Sequence, residues 1–412
     1  MKKMILTIFC VLSAGLLSAQ YIYPFQNTAL SDDERLDNLL SLMTIDEKVN
    51  ALSVDLGIPR LGIRSTEHSE GLHGLALGGS GNWGGMRMGV PVKYPTTIFP
   101  QAYGLGETWD TELIQKVANI ESTETRYYAQ NDRYQKRGLV MRAPNAALER
   151  DPRWGRTEES YGEYLHLVGE LTVAFVKGLQ GDDPRYWKTA SLMKHFLANS
   201  NEDGRDSTSS DFDNRLFHEY YAYPLRKGIA NGGSQAFMAA YNAWNGTPMT
   251  IHPVFAKNRK EWGMKGIICT DAGAVSLLVS AYKAFPNQTE AVVAVVKAGV
   301  GQFLDRYKPH IYEALANGML TESDIDKTIR TNYYVALRLG LLDATQDNMP
   351  YAHIGVTDTV APWNNKEVQE FVRLVTAKSV VLLKNEKNLL PLDKKKIKSI
   401  AVIGPRADEV LE

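Results

Sequence analysis

Four apolar runs in this chain end in side chains capable of polar chemistry. Residues 138–142 end in Arg142, 190–195 in Lys194 and His195, 235–241 in Tyr241 followed by Asn242, and 266–270 lead into Asp271. The aspartate is the group suited to covalent work. A carboxylate nucleophile must be ionised, rigidly held and aimed, and the tip of an apolar strand supplies neighbours that lock its rotamer. In GIICTDAGAV the apolar run precedes Asp271, and Gly273 behind it leaves room for a ligand to approach. An aspartate after a strand equally suits the cap of a following helix. His195 alone also reads as a satisfied buried histidine, and Met238 as a core side chain.

These side chains need elements to carry them. The apolar residues Leu36, Leu39, Leu40 and Met43 have helical spacing, which predicts a helix over 32–42. Further helices are predicted over 111–129, 161–179, 216–230, 288–298, 311–316 and 368–378, and strands over 138–142, 190–195, 235–241 and 266–270. Strands alternating with helices make a mostly parallel sheet, open or closed into a barrel; periodicity does not choose between them. In either form ligands lie at the carboxyl ends of the strands, where the four polar groups fall.

The chain has 412 residues, too many for one small core, so a large barrel or two domains are expected. A net charge of −1 offers no basic face for a nucleic-acid partner. Cys10 and Cys269 make neither a disulfide framework nor a thiolate metal site, and His68, His73, His195, His218 and His252 lack ligand spacing, so no metal or cofactor is expected. Residues 1–19 read as a signal peptide: Lys2 and Lys3, an apolar run too short to span a bilayer, and small residues at Ser18 and Ala19. The mature protein is therefore expected to be exported, periplasmic or extracellular, with no membrane span. A Pro-, Asp- and Asn-containing stretch reads as a linker, and SIAVIGP at 399–405 reads as a buried strand.

Six ordered motifs then resemble the N-terminal barrel domain of family 3 glycoside hydrolases, across residues 31–405. They are IPRLGI with EGLHG at 58–74, FPQAYGLGETWD at 99–110, ERDPRWGRTEESYGE at 149–163, KHFLANSNEDGR at 194–205, FMAAYNAWNGTP at 237–248 and EWGMKGIICTDAGAV at 261–275. The resemblance implies a (β/α)₈ barrel over 20–345, a linker and helix over 346–378, and the truncated start of a second α/β domain over 379–412. It implies a retaining, exo-acting β-glycosidase of the glucosidase or xylosidase type, acting on an oligosaccharide or glycoside. Asp271 takes the nucleophile position. Lys194, His195 and Arg156 match contacts to sugar hydroxyls, and Glu70 matches an acidic acceptor of them. Met238 and Tyr241 match residues lining that pocket, with the Tyr241 phenol orienting the nucleophile.

Two departures bear on this. Ala272 stands where many relatives carry Trp or Cys, which reshapes the pocket wall. In most of the family the acid/base is a glutamate of the second domain; within this chain Glu202, Asp203 and Asp206 are the loop carboxyls within reach. The alternatives are a carbohydrate-binding pseudoenzyme or a remnant without the acid/base. Arg150, Arg153, Arg156, Glu158 and Glu159 also read as a structural ion-pair cluster.

Overall fold

A computed structural model describes residues 21–77, 94–134, 136, 138–199, 201–345, 349–404 and 407. The proposed signal peptide lies outside the described residues.

Among the described residues eight strands occur: β1 (His68–Glu70), β2 (Val140–Arg142), β3 (Ala190–Phe196), β4 (Ser209–Ser210), β5 (Ala236–Ala239), β6 (Ala243–Trp244), β7 (Thr247–Pro248) and β8 (Ile268–Cys269). Five of them form one parallel sheet in the order β1-β2-β3-β5-β8. Helices Thr111–Gln130, Leu165–Gln180, Tyr223–Ala230 and Val254–Trp262 carry the chain between successive strands of this sheet. Parallel neighbours require such crossovers. Both faces are covered, and β3 and β5 are buried along their whole length. The three remaining strands make a small separate sheet just after the strands that carry the site.

Beyond β8, Gln302 bridges in parallel to Cys269, and the Phe303 amide donates to the Leu52 carbonyl at 2.9 Å. His68 of β1 meets the Gln302 side chain at 2.8 Å, so the two edges of the sheet approach each other. Among the described residues the ladder has five strands and does not close into the eight-stranded ring expected from the resemblance.

Local chemistry explains where the elements begin and end. The helix Asp32–Leu42 starts at a capping box between Ser31 and Glu34. The helix expected from 161 starts at Leu165, because Gly162 adopts a left-handed φ of 122° just before it. The single helix expected over 216–230 is three pieces, with a π turn at Phe217–Tyr221 and a new start at Tyr223, where Pro224 enters the first turn. The helix Glu322–Arg338 was not anticipated, since its Thr, Asn and Tyr residues have modest helix propensity; the Thr321 cap and one buried face hold it. Gly266, opening the β8 segment, is required by packing: a Cβ there would stand 2.1 Å from the Gln235 carbonyl oxygen.

The C-terminal segment corrects one expectation. Residues 399–404 form no strand, and Ile400 and Ile403 are 82% and 90% exposed. No strand lies beside them among the described residues, and an unpaired strand has neither ladder bonds nor a face to bury. The remainder of that motif, from 405, lies outside the described residues except Ala407. No helix among the described residues is long and apolar enough to cross a membrane.

Candidate active site

Parallel pairing places the polar groups at one edge. Glu70 ends β1, Arg142 ends β2, and the two are register partners. Lys194 and His195 lie inside the last part of β3. The register with β5 shifts between Met193 and Phe196, and that irregularity breaks the two-residue alternation. Lys194 meets Glu70 and Glu159, while His195 meets Arg156 and Asp271. Tyr241 and Asp271 each follow their strand by two residues.

The contacts form one connected polar cluster. The Glu70 carboxylate accepts from Lys194 Nζ at 2.9 Å through Oε2 and from Arg142 Nη1 at 3.0 Å through Oε1. Lys194 Nζ also lies 4.0 Å from Glu159 Oε2. Glu159 accepts from Arg156 twice, at 2.8 and 2.7 Å, in the bidentate fork that fixes a guanidinium plane. Arg156 Nη1 reaches His195 Nε2 at 3.4 Å, and His195 Nε2 is 3.6 Å from Asp271 Oδ2.

Asp271 is almost fully buried. Its Oδ1 accepts from the Ala272 amide at 2.7 Å, whereas Oδ2 is buried with no donor among the described residues. Burial raises the carboxyl pKa above its ordinary value; the Ala272 N–H and the charges of Lys194 and Arg156 oppose that shift. His195 is driven the other way, well below the ordinary imidazole range, by burial and by Arg156, Lys194 and Arg205. It is therefore neutral at physiological pH. A neutral imidazole beside a carboxylate gives a polar neighbour without neutralising it.

Tyr241 is brought to the site: its hydroxyl donates to the Ala272 carbonyl at 2.7 Å, and the same phenol, beside Asp271, helps hold that carboxyl's pKa down. It pins the turn that carries the aspartate. Burial and the nearby Asp271 charge push the phenol pKa up, so it remains a donor. Met238 sits in β5 opposite Cys269 and belongs to the main hydrophobic core. The helix following the aspartate is capped by Gly273 in left-handed geometry and takes no side-chain cap from Asp271.

Arg142, which the sequence placed at a strand end without a role, belongs to the cluster, as do two residues that the sequence left outside the site, Glu159 and Arg205. Arg205 closes the KHFLANSNEDGR motif, which was the available signal; its guanidinium lies 4.6 Å over the Tyr241 ring. Of the three loop carboxyls, Glu202 turns inward, paired with Arg205 at 2.6 Å and with Oε1 buried and unpartnered, while Asp203 and Asp206 are exposed. Glu149 also keeps a buried unpartnered oxygen; burial and the charges of Glu159 and Glu158 push its pKa up to about 8, so it holds its proton at neutral pH. Arg150 and Arg153 face elsewhere, over the rings of Tyr220 and Tyr221 and onto Asp151.

A parallel α/β sheet whose strand tips gather a buried carboxylate, acidic acceptors and fixed cations defines an α/β protein with a polar ligand site at its carboxyl edge. Residues 86–331 match the Glycosyl hydrolase family 3 N terminal domain, and residues 380–412 match the C-terminal domain of that family. The chain belongs to glycosyl hydrolase family 3. It is 33% identical over 410 residues to the probable beta-D-xylosidase 7 of Arabidopsis thaliana, across 94% of this chain and 51% of that protein. It is 33% identical over 397 residues to a beta-xylosidase of Formosa agariphila, across 92% and 51% respectively. Among solved structures it matches a family 3 exo-beta-xylosidase in complex with a xylobiose aziridine activity-based probe, at a TM-score of 0.80 and 25% identity, covering 91% of this chain and 48% of that one. The chain spans about half the length of the curated relatives it matches.

Proposed function

We propose that this chain carries the catalytic site of a retaining, exo-acting β-glycosidase that removes non-reducing-end β-linked sugars, of β-xylosidase or β-glucosidase type, with Asp271 as nucleophile. The observation that carries this reading is the Asp271 carboxylate: one oxygen is fixed by a backbone amide, and the other is buried without a donor beside a neutral His195. In the first step an Asp271 oxygen attacks the anomeric carbon, the bond to the leaving oxygen breaks, and that oxygen takes a proton from an acid. Water, giving a proton back to the conjugate base of that acid, then attacks the anomeric carbon, and the bond to the Asp271 oxygen breaks, with net retention. Glu70 accepts from sugar hydroxyls, while Lys194, Arg156 and His195 serve as donors or neutral partners to them. The names of the relatives favour a xyloside, and Ala272 leaves that wall of the site small.

The sheet is read as part of a (β/α)₈ barrel, supported by the approach of its edges through His68 and Gln302. The domain limits follow the sequence expectation: barrel to 345, linker and helix to 378, second α/β domain from 379. Residues 1–19 direct export to the periplasm or beyond; N-terminal sequencing of the secreted protein should begin at Gln20, and retention of Met1 would remove that part of the reading.

The mechanism is tested with 2-deoxy-2-fluoro-β-xylosyl and -glucosyl fluorides. The fluorine slows both steps, and the good leaving group lets the covalent ester accumulate. The expected result is a mass increment of one fluorosugar on the peptide containing Asp271. Saturable binding without any increment would leave a carbohydrate-binding protein in place of an enzyme.

A further inference from the structure

Glu70 is held by more than its lysine. A glutamate's terminal torsion is broad and two-fold, so a cation on one oxygen leaves the carboxylate plane free to turn. Here the two oxygens have different donors, Lys194 Nζ on Oε2 and Arg142 Nη1 on Oε1, which removes that freedom. Arg142 is itself fixed. Its Nε donates to His68 Nδ1 at 3.2 Å, and His68 Nε2 meets Gln302 Oε1 at 2.8 Å. Because Nδ1 accepts, the ring proton is on Nε2 and is donated to Gln302. Burial and the Arg142 charge hold the imidazole well below its ordinary pKa, so it stays a neutral acceptor. His68 and Glu70 are two residues apart on β1 and share a face, and the Arg142 guanidinium spans both from the adjacent strand. A rigid fork tied at Nε and Nη1 sets both the position and the plane of its carboxylate.

We infer that Arg142, anchored through His68 to Gln302, is a positioning residue that fixes the Glu70 carboxylate for the sugar's hydroxyls. This rests on the reading of the site as a glycosidase pocket in which Glu70 touches sugar. The geometry is built from backbone register across β1 and β2 and from the sheet's far edge, so it does not depend on any loop closing.

The test is a cycle in the full chain: wild type, Arg142→Gln, Arg142→Lys, Glu70→Gln and the double Arg142→Gln/Glu70→Gln, with kcat and KM measured on nitrophenyl β-D-xyloside and β-D-glucoside. Charge-assisted hydrogen bonds on this scale are worth roughly tenfold. Arg142→Gln should therefore raise KM about tenfold with a smaller change in kcat, Arg142→Lys should recover part of that, and the double variant should be no worse than Glu70→Gln. If the arginine's effect appears undiminished on the Glu70→Gln background, or if Arg142→Gln leaves KM unchanged, the positioning role is wrong. Should Arg142→Gln fail to fold, the His68 pair decides. His68→Asn keeps an acceptor near Nδ1 and should stay close to wild type, His68→Leu should raise KM, and equal behaviour of the two overturns the proposal. A wild type that neither turns over these glycosides nor takes the fluorosugar label fails the underlying site reading instead, which is a different result from an unaltered KM.

Discussion

Asp271→Ala is expected to lower kcat/KM on nitrophenyl β-glycosides by on the order of 10⁴-fold or more, the scale found when a covalent nucleophile is removed. Aryl glycosides suit the measurement because their leaving groups need little protonation, so the assay reports on the nucleophile and not on the acid. The pH profile carries an independent signature. Activity requires the ionised carboxylate, and burial raises its pKa above the ordinary aspartate value, so activity should fall as pH drops through that raised value. Stability moves in the opposite sense. With the folded pKa above the unfolded one, this group's contribution to stability is fully present below the unfolded pKa and is lost as pH rises through the folded value. Asp271→Asn, which cannot ionise yet can still accept from the Ala272 amide, should therefore be more stable than wild type at pH 7, by about 1 kcal/mol, while being inactive. Urea unfolding at pH 7 and near pH 3.5 measures this: the gain should shrink at the lower pH. An inactive Asn variant that is destabilised at both would show that the ionised carboxylate is not a strained group.

Lys194→Met is expected to cost about 10²–10³-fold in kcat/KM, the second largest effect. The Lys194 ammonium is nearly buried and sits between Glu70 at 2.9 Å and Glu159 at 4.0 Å, within range of the Asp271 charge. Methionine fills similar volume but leaves these carboxylates without their shared cation, and breaking a buried ion pair typically costs about 3–5 kcal/mol. Two readouts separate the electrostatic role from simple damage. Loss of the Lys194 charge removes one of the influences that oppose the raised pKa of Asp271, so the acid limb of the kcat/KM profile should move to higher pH. Glu70→Gln on the Lys194→Met background should restore part of the stability measured by denaturant, because it removes the excess negative charge left in the cluster while weakening the remaining Arg142 pair. An unmoved acid limb would mean that Lys194 does not act on the nucleophile.

Four strands of the parallel sheet, β2, β3, β5 and β8, were legible in the sequence, since buried parallel strands read as apolar runs that end in turn residues, whereas β1, β4, β6 and β7, of two or three residues each, carry no such run. Element ends were less so. The start at Leu165 and the break at Phe217–Tyr221 depend on one glycine conformation and one proline placement, which period alone does not weigh. The segment at 399–404 shows the opposite failure: its pattern is that of a strand, yet strand formation is a property of a pair, and among the described residues no strand stands beside it.

For the site, apolar runs along the chain placed Arg142, Lys194, His195, Tyr241 and Asp271 at strand ends, while Glu70 and Arg156 came from the motifs of the resemblance. Only the tertiary structure decided how they pair. Glu70 is bracketed by Arg142 and Lys194, which are 72 and 124 residues away in the chain, and Glu159 joins Arg156 to Lys194 across the tips. The Tyr241 hydroxyl donates to the backbone carbonyl of Ala272, beside the nucleophile. Residue types and local spacing fix what a side chain can offer. Which partner it meets depends on strand register and a single irregularity in β3, and those are set by the packing of the whole sheet.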